Sequence, residues 1–199
     1  MRWTWQEIVH ILNQYKPKIH VLSVTWKPDE NKVKCNTDGA CRGNPDWSSI
    51  GFCIRDTRGD LIYVKAKGIG IETNSEAETI AILFAFRDCK RKRIQSVVIE
   101  TDSFSLKKII QKTWRLPWEL EEKVEETREI MQKINATITH TFREGNCLAN
   151  SLANIAIESQ AEHHYFSFKE IPLTERRILN TEKAQIPTLR IRNRKIIPQ

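Results

Sequence analysis

Three acidic residues of this 199-residue chain stand where a folded sheet could bring their carboxylates together. Asp38 and Asp102 each follow a short strand-like run, residues 33–37 and 97–101. Glu78 interrupts an otherwise apolar helical run, where an unpartnered carboxylate is costly to bury. Because the carboxyl ends of adjacent parallel strands share a crevice, we expect the three side chains to converge there. Hard oxygen ligands in such a cluster favour Mg²⁺ or Mn²⁺.

Each of these acids also has an ordinary structural interpretation. A carboxylate just before a turn usually caps it, and Asp38 is followed by two glycines and a proline. Glu76 and Glu100 are weaker candidates for ligands. Glu76 falls in the first turn of a predicted helix, where an acid suits the helix dipole, and we expect Glu100 to point to the opposite strand face from Thr101.

Four motifs in chain order carry a resemblance to a known family. They are DGACRGNP from Asp38, TNSEAE from Thr73, ETDS from Glu100 and REGNCLANSLA from Arg143. Each motif is weak alone, but the ordered set resembles the type 1 ribonuclease H family. The fourth motif is similar to the form found in the ribonuclease-H-like domains of plant non-LTR retroelements. The resemblance covers about residues 32–159.

The resemblance implies an α/β, ribonuclease-H-like fold. Its five-stranded mixed sheet has three antiparallel and then two parallel strands, flanked by helices. The hydrophobic patterns predict elements that match this order. The predicted strands cover residues 33–37, 50–56, 61–70, 97–101 and 136–142, and the predicted helices cover 5–15, 75–90, 119–134 and 147–158, with a short helix starting at Ser103.

The resemblance also implies endonucleolytic hydrolysis of the RNA strand of RNA–DNA hybrids by two-metal-ion catalysis with Mg²⁺, or Mn²⁺. Asp38, Glu78 and Asp102 match the family's metal-binding acids residue by residue. His140 matches a histidine that assists product release or proton transfer, although a histidine on a terminal strand is more often a surface residue. Asn150 stands where members usually carry aspartate, and its amide brings no negative charge to a second ion.

Substrate recognition is implied at a second set of positions. The backbone of Gly39 and Cys41 and the side chain of Asn44 match positions that contact RNA 2′-hydroxyls, which distinguish RNA from DNA. Thr73 and Asn74 match positions that hold a DNA-strand phosphate and a base edge. Their alternative role is to cap the helix that follows them.

Two other functions stay open. The first is a retroelement-derived domain that has weakened or lost catalysis and only binds nucleic acid or a protein; Asn150 and the basic C-terminal segment favour it. The second is a general structural module, for which Asp38, Glu78 and Asp102 would be dispensable.

The composition limits the cellular compartments and the kinds of site that we expect for this protein. The formal net charge is +7, and residues 160–199 hold eight Lys or Arg against four Asp or Glu. Five cysteines without a CxxC pair argue against a disulfide framework or a zinc site, so we expect an intracellular protein of the nucleus or cytoplasm. No apolar run is long enough to span a membrane, and no signal-peptide core follows Met1. The oligomeric state stays open.

We divide the chain into three segments. Residues 1–31 form an N-terminal helix and linker, residues 32–159 the ribonuclease-H-like domain, and residues 160–199 a basic, mostly extended C-terminal tail. Little packed structure is expected from Thr174 onward. Because no acid occurs in residues 183–195, the tail could add sequence-independent affinity for phosphate.

Overall fold

The structure is a computed structural model that describes residues 3–14 and 18–194. Eight strands and six α-helices are present in these ranges. The strands are β1 Lys18–Val24, β2 Val33–Cys41, β3 Asp46–Arg55, β4 Leu61–Glu72, β5 Val97–Thr101, β6 Thr137–His140, β7 Glu162–Tyr165 and β8 Thr188–Arg194. The helices are α1 Trp5–Gln14, α2 Asn74–Arg91, α3 Phe104–Ile110, α4 Glu121–Lys133, α5 Cys147–Ser159 and α6 Leu173–Lys183.

The main sheet has six strands in the order β6-β5-β2-β3-β4-β7. β2, β3 and β4 form an antiparallel meander, β5 runs parallel to β2, and β6 runs parallel to β5. The predicted α/β fold with a mixed sheet is therefore confirmed. The sixth strand, β7, pairs antiparallel with β4 and was not predicted. Its four residues are too few and too polar to show the alternation that identifies a strand.

Both faces of the sheet are covered by helices. Phe52 and Ile54 of β3 pack against α2, α3 and α4 on one face, whereas Cys53 packs against α5 and α6 on the other. This alternation follows from the two-residue period of a strand. All three side chains are fully buried, so the central strands form a rigid platform for the polar residues at one end of the sheet.

Residues 160–194 contain two strands and a packed helix, so the prediction of a mostly extended tail in residues 160–199 is wrong for this described part. α6 begins at Leu173 and buries Leu179 against the core. Glu182 on the same helix forms a 2.6 Å ion pair with Arg55, which is 0% exposed. Because two of its three buried residues are glutamates, α6 lacks the apolar stripe by which a helix is recognised in a sequence.

The N-terminal segment also contains more structure than a helix and a linker. α1 matches the predicted helix, and the Thr4–Glu7 capping box is present, with the Thr4 N–H donating to Glu7 Oε2 at 2.7 Å. The predicted end of this helix at Tyr15 lies outside the described residues. β1 was not predicted, and it pairs with β8 in a separate two-stranded sheet.

Two expectations from composition can be compared with the structure. All five cysteines are free thiols. Within residues 3–14 and 18–194, no helix is both long enough and apolar enough to cross a bilayer.

Candidate active site

The structure brings the three predicted acids together. One carboxylate oxygen from each of Asp38, Glu78 and Asp102 lies within 4.8 Å of the others. The parallel pairing of β2 with β5 ends at Thr37 opposite Thr101, so the next residue of each chain segment is an aspartate. Adjacent parallel strands thus deliver both carboxylates to one edge, as the sequence suggested.

Asp38 does not end its strand, which corrects the predicted boundary at residue 37. β2 continues to Cys41 because it keeps its antiparallel pairing with β3, in which Asp38 lies opposite Gly51. The two glycines after Asp38 therefore do not form an immediate turn. The pairing with β3 keeps Asp38 within β2, and this residue is only 3% exposed.

Gly39 allows the helix that carries Glu78 to approach the strand. A Cβ atom at Gly39 would lie 2.3 Å from the backbone nitrogen of Glu78 and 2.4 Å from the carbonyl carbon of Ala77. Only glycine therefore fits between β2 and α2 at this point. The polar backbone of Gly39 beside the Glu78 carboxylate also lowers the pKa of that group in part.

Burial opposes ionisation of all three acids. The pKa of Asp38 is raised to about 8, mainly by desolvation and secondly by the nearby Asp102 carboxylate. Desolvation and the two aspartates hold the pKa of Glu78 well above its ordinary value, and burial raises that of Asp102. Glu78 Oε2 and Asp102 Oδ1 are buried without a hydrogen-bond partner. The cluster therefore has unused acceptor capacity, and a divalent cation would favour the ionised form of its carboxylates.

Arg143 is a cation beside this cluster that the sequence interpretation did not single out. Its positive charge lowers the pKa of Asp38, Glu78 and Asp102. Its Nη2 donates to Asn150 Oδ1 at 2.8 Å. Its place at the start of the fourth motif was the available signal, but spacing alone does not show that an exposed arginine turns toward the acids.

Asn146 fixes the turn that carries Arg143 against the sheet. Its Nδ2 donates to the Thr37 carbonyl at 2.9 Å, and its Oδ1 accepts from Asn36 Nδ2 at 3.1 Å. The side chain is 1% exposed, so these bonds are shielded from water. Asn36 also donates to Glu100, which pairs with Lys34 at 2.6 Å and is not one of the three clustered acids.

His140 ends β6 near the acids. Its ring packs edge-on against Phe104 and Phe142, with ring centroids 5.4 and 5.5 Å away. Desolvation lowers its pKa, although a hydrogen bond to the Asp102 backbone and the charge of that residue raise it in part. The imidazole is therefore mainly neutral at pH 7 and able to accept a proton.

The predicted substrate-binding residues lie at the end of β2 and the start of α2. Asn44 Oδ1 accepts from the Asn74 N–H at 3.0 Å, which ties the two segments together. Thr73 caps α2 in a reciprocal capping box with Glu76, so its capping role is present. Asn44 and Thr73 also line a cavity of about 460 Å³. Cys41 lies at the end of β2, with its thiol 3.3 Å from the Glu72 carbonyl.

Sequence comparisons find relatives across most of the chain. A family described as reverse transcriptase-like matches residues 36–156, which include the three acids and Asn150. A ribonuclease H protein of Arabidopsis thaliana is 29% identical over 152 residues, 76% of this chain and 24% of the relative. Ribonuclease HI of Halobacterium salinarum is 28% identical over 140 residues, 69% of this chain and 70% of the relative. The chain thus spans about a quarter of the length of the Arabidopsis relative.

Solved structures show the same fold. RNase H1 of Halobacterium salinarum superposes with a TM-score of 0.62 at 27% identity, over 65% of this chain and 99% of that protein. LC11-RNase H1, solved in complex with an RNA/DNA hybrid, superposes with a TM-score of 0.61 at 29% identity, over 64% of this chain and 98% of that protein. Both matched proteins are covered almost completely, while about a third of this chain lies outside the match.

Proposed function

The chain belongs to the reverse transcriptase-like family and has the fold of type 1 ribonucleases H, and on that premise we propose that it cuts the RNA strand of RNA–DNA hybrids endonucleolytically. The observation that carries this proposal is the cluster of Asp38, Glu78 and Asp102, with ligand oxygens within 4.8 Å. Relatives that bear the name ribonuclease H, and one solved with a hybrid, support the choice of substrate.

The cluster fits divalent cations, and we propose Mg²⁺, or Mn²⁺, as the cofactor. Asp38, Glu78 and Asp102 would hold them, since these carboxylates have raised pKa values and two oxygens without hydrogen-bond partners. When bound, a pair of cations supplies an activated water and stabilises the leaving oxygen of a phosphodiester.

The residues around the acids bind and orient the substrate in this proposal. The exposed Arg143 offers a guanidinium to a phosphate at the mouth of the cluster. His140, mainly neutral, accepts a proton or assists product release. The backbone of Gly39 and Cys41 and the side chain of Asn44 contact RNA 2′-hydroxyls, which makes the site selective for RNA.

The DNA strand of the hybrid would be bound at the start of α2. Thr73 and Asn74 lie at the N-terminus of this helix, where the helix dipole favours a phosphate. Their capping bonds do not exclude this role, because they use the N–H groups of Asn74 and Glu76 and leave that of Ser75.

Because of Asn150, we propose that the catalytic activity is weakened. Its amide oxygen already accepts a hydrogen bond from Arg143, and it has no negative charge to offer a second cation. We therefore expect activity with a raised metal requirement. The same contact favours the alternative function, a retroelement-derived domain that binds nucleic acid without cutting it.

We also propose a retroelement origin and an intracellular setting. The fourth motif supports the origin, and five free thiols support a reducing compartment.

Strand-specific cleavage tests the proposal. Hybrids labelled on the RNA strand or on the DNA strand, with double-stranded DNA and single-stranded RNA beside them, would be incubated with the full chain and Mg²⁺ or Mn²⁺. We expect internal cuts in the RNA strand of the hybrid alone. Binding of the hybrid without any cut over the whole metal range would identify the binding domain instead.

A further inference from the structure

The two-stranded sheet of β1 and β8, here called the ribbon, has its basic residues on one face. Directly opposed residues of an antiparallel pair share a face, and alternate residues along each strand return to it. The register therefore places two opposed pairs together. These pairs are Leu22 with Arg190 and His20 with Arg192.

The opposite face of the ribbon is apolar. Val21 and Ile191 are opposed to each other and are 58% and 65% exposed, and Ile19 and Leu189 are 57% and 60% exposed. Neither strand contains an acidic residue. The basic residues are thus segregated on one side, and no charge within the ribbon neutralises them.

The basic face turns toward the candidate active site. Arg190 Nη1 lies 2.7 Å from Glu144 Oε2, and its guanidinium carbon is 4.6 Å from the Phe142 ring centroid. The Arg192 guanidinium lies 5.8 Å from the same centroid. Glu144 adjoins Arg143, whose charge acts on the acid cluster. The contact between Arg190 and Glu144 therefore brings the ribbon next to the turn that carries Arg143.

Arg192 is the residue of this face most available to a ligand. Its side chain is exposed, and it has no ion pair within the described part of the chain. His20, directly opposite, is also exposed. Arg190 forms an ion pair with Glu144, and this contact anchors the ribbon to the turn at residues 143–145.

We propose that the basic face of the ribbon binds the phosphate backbone of a nucleic-acid duplex beyond the position that is cut. Alternate residues along a strand lie roughly 7 Å apart, so Arg190 and Arg192 are spaced to contact neighbouring phosphates. The family match spans residues 36–156, so this surface is an addition to the matched domain. The identity of the duplex as an RNA–DNA hybrid rests on the proposed function.

Salt dependence of binding measures this contact directly. The full chain would be titrated with an RNA–DNA hybrid in chelator, where no cut can occur, over a series of salt concentrations. The variants are Arg192→Gln and the double change Arg190→Gln with Arg192→Gln. Matched controls are Lys90→Gln and Lys90→Gln with Arg93→Gln; these exposed cations lie at the end of α2, roughly 18 Å or more along the helix from Glu78.

We expect the slope of log K against log salt to become shallower by about 0.9 for each phosphate contact removed, while the control variants keep the wild-type slope. Equal slopes for the ribbon variants and the wild type would overturn the proposal, and would leave the ribbon as a surface for a protein partner. No binding by the wild type would overturn it as well.

A cleavage assay separates this proposal from the proposed function. If the wild type binds with the ribbon-dependent slope but never cuts the hybrid, the ribbon is supported and the nuclease is rejected. If Arg192→Gln raises KM without changing kcat, the ribbon contributes binding alone, as proposed.

Discussion

Arg143 Nη2 donates a hydrogen bond to Asn150 Oδ1 over 2.8 Å. Arg143 also lowers the pKa of the three clustered acids, so its charge already compensates part of theirs. The position where family members usually carry an aspartate is thus occupied by an amide that is bound to a cation. The Arg143–Asn150 pair therefore determines how much negative charge is available to a bound divalent cation.

Asn150→Asp should increase cleavage, most strongly at low Mg²⁺. A carboxylate at this position adds an anionic ligand for a hard cation, although part of the gain is offset because Arg143 would pair with it. The measurement is the cleavage rate of a labelled hybrid over a Mg²⁺ series. Asn154→Asp, one turn further along α5, adds the same charge at an exposed position and should leave the metal requirement unchanged. Identical Mg²⁺ curves for wild type and Asn150→Asp would contradict this role of position 150.

The metal-free protein should lose stability as the pH rises from about 4 to 8. Asp38 has a pKa of about 8 in the folded chain, against roughly 4 when unfolded, so the folded state binds more protons in this window. The stabilisation that comes from the protonated Asp38 carboxyl is therefore complete below the pKa that this group has in the unfolded chain. It is lost as the pH rises through the pKa that the group has in the folded chain.

Asp38→Asn removes this contribution, and its free energy of unfolding in chelator should fall less over the same range. Denaturant unfolding at pH 4, 6 and 8 measures the difference. We expect the variant to be the more stable protein at pH 8. If the free energy of unfolding of the wild type rose toward pH 8 in chelator, the pKa of Asp38 would not be raised in the folded chain.

Gly39→Ala should destabilise the protein by about 1–3 kcal/mol and impair cleavage, because the added methyl would overlap the backbone of Ala77 and Glu78. Gly43→Ala is the matched control, since there the methyl would meet the Asp46 side chain at 3.0 Å, which can move. Thermal or denaturant unfolding compares the two. Equal stability of both variants would mean that α2 does not lie so close to β2.

Glu182→Gln should cost about 3–5 kcal/mol in the free energy of unfolding, because it leaves the fully buried Arg55 without its charge partner. Glu182 Oε1 also accepts from the Leu148 N–H at 3.1 Å, at the start of the helix that carries Asn150. Asp60→Asn removes the exposed pair with Lys183 on the same helix and should cost less than about 1 kcal/mol. A small effect of Glu182→Gln would show that α6 is not part of the folded unit.

The acids could be predicted because local patterns place them. The parallel pairing of β2 with β5 ends just before both aspartates, and a glutamate in an apolar helix needs a partner, so these local patterns indicate one shared edge for the carboxylates. The boundary at residue 37 failed because pairing with β3, which depends on distant residues, extends β2 beyond its glycines.

Long-range polar contacts explain what the sequence did not show. α6 is held by a buried ion pair between Glu182 and Arg55, which are 127 residues apart, and such a contact leaves no periodic signal. Arg143 and Asn146 lie in one turn, and their side chains form hydrogen bonds to α5 and β2 that the sequence does not reveal. β1 and β8 pair across most of the chain, so neither strand is identifiable without its partner.

Cleavage of an RNA-labelled hybrid over a Mg²⁺ series, by the wild type and by Asp38→Asn, tests the central claim most directly. We predict metal-dependent internal cuts by the wild type at raised Mg²⁺, and none by Asp38→Asn, although that variant folds and binds the hybrid. Equal cutting by both proteins, or no cut by the wild type at any Mg²⁺ or Mn²⁺ concentration, would contradict the assignment of Asp38, Glu78 and Asp102 as the metal site of a nuclease.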